Sequence, residues 1–213
     1  MIIPSVGFNR ERRLWFLPRI KLLGRYYMPW NPDLYRVLLA SRDFTVREEE
    51  DYAVVRGRGF VYYAPKAYVS MLIEEWRVWE KWYLPEKNMR FETVLDVGAG
   101  CGETAIFYRL HGARKVIPVE ADRSLEKFIR ANMRLNNINY ELFMEPFSLR
   151  HLDLDFDLVK MDVEGGERLL LDAKIDFPLI LETHGLELTR EFLKRGFRMM
   201  VQVARDVFVL TNL

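Results

Sequence analysis

VLDVGAGCGET, residues 94–104, decides the fold. The apolar run from Thr93 to Gly98 reads as a buried strand, and glycines recur at 98, 100 and 102 before a helix opens at Glu103. Glycine suits a chain that must turn sharply and let a ligand lie against its backbone. A helix N-terminus beyond such a turn offers N–H groups to an anionic ligand. The same glycines also suit a plain strand-to-helix turn, so the context has to decide. The next apolar run, Lys115 to Glu120, ends in an acid at about the 20-residue spacing expected of a carboxylate that grips ribose hydroxyls. The loop is GAGCG rather than GxGxxG, which serves a compact ligand better than a pyrophosphate. Asp96, two residues before the first glycine, repels a diphosphate but attracts the cationic amino-acid end of a sulfonium nucleoside. The pattern therefore points to S-adenosylmethionine, held by Asp96, Gly98, Gly100, Gly102 and Glu120.

Outward from this stretch, strands and helices alternate, the signature of a parallel sheet covered on both faces. A helix beginning near Asp122 or Ser124 carries Leu125, Phe128, Ile129 and Met133 at helical spacing and ends at Asn136-Asn137. Tyr140–Met144, Phe156–Asp162 and Pro178–His184 read as the third, fourth and fifth strands. A helix through Phe192 ends at Gly196, a C-terminal glycine cap. FRMMVQV and DVFVLTN on either side of Ala204-Arg205 form an antiparallel hairpin. The fold class is α/β, a Rossmann-like, seven-stranded, mostly parallel sheet over residues 91–213. Residues 1–90 form an α+β extension that reads as a cap on the substrate side. It carries a hairpin near 53–63, around Arg56-Gly57-Arg58-Gly59, and an amphipathic helix near 67–84. Tyr68, Leu72, Trp76, Trp79 and Tyr83 share one stripe of that helix, and Pro85 ends it. The aromatics of the stripe read as core.

Composition sets the outer limits. Half of the 213 residues are apolar, enough for a core without staples, and the net charge of +1 advertises no nucleic-acid partner. The single cysteine, Cys101, fits a reducing compartment, and its place in the glycine loop reads as small filler. No apolar run approaches the ~18 residues that span a bilayer. The N-terminus has charges where a signal peptide needs its apolar stretch, so a cytoplasmic location is expected. One glutamine (Gln202) beside 30% charged residues is a pattern common in heat-adapted proteins. Arg10, Arg12, Arg13, Arg19, Lys21 and Arg25 form a basic cluster that reads as a solvated face or as a contact for an anionic acceptor or partner.

VLDVGAGCGET followed by VIPVEADRSLEKFIRANMRLNN resembles the first two motifs of the class I S-adenosylmethionine-dependent methyltransferases, over about Tyr83 to Leu213. KMDVEGGERLLL (160–171) and LILETHG (179–185) narrow the resemblance to the FkbM-type enzymes, whose fourth strand commonly reads K-x-D-V-E-G-x-E. It implies a sheet of order 3-2-1-4-5-7-6 and O-methylation of a hydroxyl on a small molecule or glycan. It also places the adenine beside the end of the third strand, near Met144 and Glu145. The chain departs from the pattern at Gly100-Cys101, where an asparagine and an aliphatic residue are usual. It departs again between Glu145 and the fourth strand, where about ten residues leave little room for a crossover helix.

In an open parallel sheet the pocket lies beyond the carboxyl ends of the strands. That edge collects Asp162, Glu164, Glu182 and His184 from two strands about 4.8 Å apart. His184 has the pKa range of a general base, with Asp162 and Glu164 as its companions in handling the acceptor. Asp162, Glu164 and His184 are permissible ligands for Mg²⁺ or Mn²⁺, but the spacing does not demand a metal and none is expected. Glu167 reads as complementing a helix dipole. His111, at a surface helix end, and His151, in a polar loop, read as inert. Two other functions stay open: an RNA methyltransferase, because ANMRLNN is similar to a segment of archaeal tRNA guanine methyltransferases, and a non-catalytic scaffold of methyltransferase fold. Against the RNA reading, MDVEGG lacks the Asn/Asp-Pro-Pro-Tyr motif that grips an amino group.

Overall fold

The computed structural model describes residues 43–85 and 89–213, together with the backbone of three short strands nearer the N-terminus. Those strands, β1 (Ser5–Val6), β2 (Ile20–Leu22) and β3 (Arg25–Tyr27), pair antiparallel in that order. The side chains of the basic cluster expected between Arg10 and Arg25 lie outside the described residues. The chain divides into two compact units, Met1–Arg77 and Val78–Leu213.

In the first unit, β4 (Thr45–Glu48), β5 (Tyr52–Gly57) and β6 (Phe60–Pro65) form an antiparallel meander. The turn Arg58-Gly59 closes the β5–β6 hairpin, with Gly59 at φ +84. Alternate residues Ala53 and Val55 on β5 and Tyr62 and Ala64 on β6 are fully buried, the period-2 pattern of a half-covered sheet. Helix α1 (Lys66–Glu75) follows without a loop and buries Val69, Leu72 and Ile73. The single helix read from the sequence over 67–84 is two: the chain turns at Trp76–Val78 and resumes as α2 (Trp79–Tyr83). The stripe divides because its aromatics go to separate cores. Trp76 meets Phe44 and Phe60, whereas Trp79 and Tyr83 meet Phe107 in the second unit.

The second unit is a seven-stranded sheet. Its strands are β7 (Thr93–Val97), β8 (Lys115–Val119), β9 (Asn139–Tyr140), β10 (Leu158–Met161), β11 (Leu179–His184), β12 (Arg198–Ala204) and β13 (Val207–Thr211). Their order is β12-β13-β11-β10-β7-β8-β9, which counted from β7 reads 3-2-1-4-5-7-6 from the opposite edge, as expected. Only β13 runs antiparallel to its neighbours β11 and β12. Every residue from Val94 to Val97 and from Leu158 to Met161 is buried, the continuous apolar run of strands covered on both faces. Helices α3 (Glu103–Leu110), α4 (Glu126–Leu135) and α5 (Leu186–Lys194) supply cover. Asp122 caps the short helical turn before α4 by accepting from the Ser124 N–H at 2.8 Å.

The third strand is shorter than the expected Tyr140–Met144, and proline explains it. Glu141 and Phe143 donate to Val116 and Pro118 carbonyls, and Glu120 donates to Phe143. The regular parallel pattern also requires a Pro118 N–H on the carbonyl of Glu141, and proline has none. What remains beyond Tyr140 is an isolated bridge between Val119 and Phe143. Between Glu145 and β10 the short connection holds one 3₁₀ turn, Leu149–Asp153, in place of a full crossover helix. Among the described residues no helix is long and apolar enough to cross a membrane.

Candidate active site

The bend after β7 is built by its own contacts. Gly98, Gly100 and Gly102 have φ of +75, +55 and +88, the left-handed region where a Cβ is strained. At Gly98 space forbids one as well, and at Gly100 a neighbouring side chain would have to move. At Gly98 an added Cβ would fall 1.7 Å from the Asp162 carbonyl oxygen, and at Gly100 2.5 Å from Glu103 Oε1. The glycines thus let the bend press against β10 and against its own helix. Every N–H from Gly98 to Gly102 has an acceptor within the protein. Gly98 and Ala99 donate to Val119, Gly100 to Glu120 Oε2 at 2.9 Å, Cys101 to Glu103 Oε2 at 2.9 Å, and Gly102 to Ala99. Glu103, a buried acid at the start of α3, folds its carboxylate back onto the Cys101 N–H of the bend and does not cap the helix itself. Asn132 of α4 donates to the Cys101 carbonyl at 2.8 Å and ties that helix to the bend. Cys101 is in no disulfide and is fully buried.

Glu120 leaves β8 and bridges two turns: Oε2 takes the Gly100 N–H and Oε1 the Asp122 N–H at 2.8 Å. Each carboxylate oxygen has a further lone pair, so ribose hydroxyls can still be accepted. Asp96 lies beneath the bend with no exposed surface. Its Oδ2 accepts from Thr104 at 2.6 Å, while Oδ1 has no hydrogen bond and stands 3.5 Å from Lys160 Nζ. Burial raises the Asp96 pKa, against the opposing pull of Lys160 and Thr104. Lys160 sits across from Asp96 in the β7–β10 register and donates to the Gly98 carbonyl at 3.1 Å. Burial works to lower its pKa, but Asp96, Asp162, Glu182 and Glu103 outweigh that and raise it. A buried lysine thus joins the glycine bend to the edge beyond β10. Sequence reasoning missed Lys160, although a lysine inside an otherwise apolar buried strand is itself the signal.

Glu145 accepts from Arg150 and, at 2.9 Å, from His151 Nε2, and the Arg150 contact lowers its pKa. His151, read as inert in a polar loop, is instead buried and stacked against Phe147 at 5.7 Å. It also forms the capping box with Ser148 that closes the short 3₁₀ turn. The loop after β9 is therefore held in place by Glu145, Arg150 and the cluster of Phe143, Phe147 and His151.

At the second edge Asp162, Glu182 and His184 converge, each half-buried or nearly buried. His184 Nδ1 lies 2.9 Å from Glu167 Oε1. Glu167 has no exposed surface and also accepts from the Gly165 N–H at 2.7 Å. It serves as the support behind the histidine, beyond the dipole role read from its position. Burial lowers the His184 pKa, but the Glu167 hydrogen bond and the charges of Asp162, Glu167 and Glu182 more than reverse this and raise it. Glu164 is not part of the cluster. It occupies an exposed left-handed position at φ +37 in the bend before the 3₁₀ helix Gly166–Asp172, and Glu182 takes the third place.

No family model matches the chain. A ribosomal protein L11 methyltransferase of Aquifex aeolicus is 36% identical over 91 residues, 41% of this chain and 36% of that relative. The chain thus spans little more than a third of that relative's length. M. jannaschii TYW2 in complex with AdoMet superposes with a TM-score of 0.51 at 17% identity, over 78% of this chain and 85% of that one. A Pyrococcus horikoshii protein described as a transferase gives 0.53 at 17%, over 86% and 84%. This chain carries the seven-stranded Rossmann-like fold in which that M. jannaschii protein binds AdoMet.

Proposed function

We propose that this chain is an S-adenosylmethionine-dependent methyltransferase acting on a group of a protein. The observation that carries the first half is Glu120 held at the glycine bend, on a sheet of order 3-2-1-4-5-7-6. The residues fit the cofactor. Glu120 has lone pairs left for a diol, and Glu145 with Phe143 and Phe147 forms a wall suited to the adenine. Gly98, Gly100 and Gly102 let the bend pack closely on its neighbours, and Asp96 beneath them retains an oxygen without a hydrogen bond. The bound cofactor supplies the electrophilic methyl group, and the protein aligns the acceptor with it.

Asp162, Glu182 and His184 form the acceptor end in this reading, with Glu167 fixing the imidazole. The expected hydroxyl of a small molecule or glycan, and the FkbM-type assignment behind it, gain no support from the L11 methyltransferase likeness. That likeness favours a protein acceptor. The RNA alternative rests on ANMRLNN and is the other arm of the test.

Calorimetry with S-adenosylmethionine should give micromolar binding, weakened at least tenfold (about 1.4 kcal/mol) by Glu120→Ala. S-adenosylmethionine labelled in its methyl group, incubated with cell extract and the protein, should pass its label to material destroyed by protease. Label destroyed by ribonuclease instead would move the acceptor to RNA. Absence of cofactor binding would leave a scaffold of methyltransferase fold.

A further inference from the structure

The edge beyond β10 and β11 has the geometry of a metal site. Asp162, Glu182 and His184 each present one ligating atom, and the three atoms lie within 4.8 Å of one another. His184 Nε2 stands 3.9 Å from Asp162 Oδ1 and 3.7 Å from Glu182 Oε1. These separations are longer than hydrogen bonds. They approach the spacing of atoms that share one ion, since metal–ligand bonds of about 2.1 Å set neighbouring ligands roughly 3 to 3.5 Å apart.

The histidine is prepared from behind. Its Nδ1 faces Glu167, a carboxylate with no exposed surface that is itself fixed by the Gly165 N–H. A proton kept on Nδ1 by that carboxylate leaves the Nε2 lone pair directed at the two acids. A buried carboxylate behind an imidazole is the support that metal-ligating histidines use. Lys160, the buried cation on β10, donates to the Gly98 carbonyl and lies beside Asp96, and its charge is also felt by Asp162 and Glu182.

The geometry points to a divalent transition-metal site formed by Asp162, Glu182 and His184, with Glu167 orienting the histidine. One nitrogen and two carboxylate oxygens suit Mn²⁺, Fe²⁺ or Zn²⁺ better than the all-oxygen sets of Ca²⁺. Three protein ligands leave coordination positions for water or an acceptor oxygen. The sequence spacing gave Asp162, Glu164 and His184 as permissible ligands without demanding an ion. The exposed Glu164 gives way to Glu182, which reaches the site from the neighbouring strand. Ion binding here does not depend on the methyl-transfer reading, and its test uses no cofactor.

Full-length protein stripped of metal is titrated with Mn²⁺ and followed by electron paramagnetic resonance and by proton NMR of its three histidines. The expected result is one ion per chain, with the His184 ring signals broadened before those of His111 and His151. Asp162→Asn and Glu167→Gln should each weaken binding at least tenfold. No binding up to millimolar Mn²⁺, or broadening that reaches His184 last, overturns the site; because both are read on the unmutated protein, no folding defect can mimic them. Unchanged affinity in folded Asp162→Asn does so too.

Discussion

His184 owes its protonation behaviour to three acids from two strands and the turn between them. In the metal-free protein its pKa is raised above the ordinary 6.5 because those acids outweigh the effect of burial. The stabilisation this gives is fully present below the unfolded pKa and is lost as pH rises through the folded one. An NMR titration should therefore place the His184 midpoint above 6.5, and Glu167→Gln should bring it down. A midpoint unchanged by that substitution would mean Glu167 does not hold the ring. Gly98 makes the sharper steric prediction. An alanine Cβ there meets the backbone oxygen of Asp162, which cannot swing aside. Gly98→Ala should cost about 3 kcal/mol or more in chemical denaturation, and a loss under about 1 kcal/mol would show that the bend can relax.

Between β7 and β10 the element-scale question is what the Asp96–Lys160 pair does. Both groups are buried, so removing one strands the other's charge. Asp96→Asn or Lys160→Met alone should cost about 3–5 kcal/mol, whereas the double replacement should recover most of that. Urea denaturation of the four proteins measures the coupling, and additive losses would dissolve the pair. The strands themselves were legible because apolar runs bounded by Gly and acid residues leave few alternatives: β7, β8, β10 and β11 fall within a residue or two of their predicted bounds. The shortened β9 was not legible by hydrophobicity, since its limit is a missing N–H on a neighbouring strand at Pro118. The break at Trp76–Val78 was hidden because Trp76 and Trp79 keep helical spacing while serving different cores. At the site, Glu120, Asp162 and His184 could be read from strand ends. Glu103 and Glu167 could not, because a helix-start acid declares its partner only when the turns are known; Lys160 stood out in its apolar strand, but its partners followed only from the register.

For the whole chain, the site residues fall inside one unit. Asp96, the three glycines, Glu120 and Glu145 all lie within Val78–Leu213, as does the apolar cluster of Leu95, Ile117, Val159, Leu181 and Phe192. A fragment beginning at Val78 therefore keeps the complete set of contacts described for the bend. It should unfold cooperatively and bind S-adenosylmethionine with the affinity of the full chain. Ligand held at 100 times its dissociation constant adds about 2.7 kcal/mol to the native state. For a unit of this size each kcal/mol moves Tm by roughly 2–4 °C or somewhat more, so both proteins should show a cofactor-dependent rise of about 5–10 °C. Equal rises would locate the cofactor wholly in the second unit. A rise in the full chain alone, with the fragment folded by circular dichroism, would mean that residues before Val78 complete the pocket.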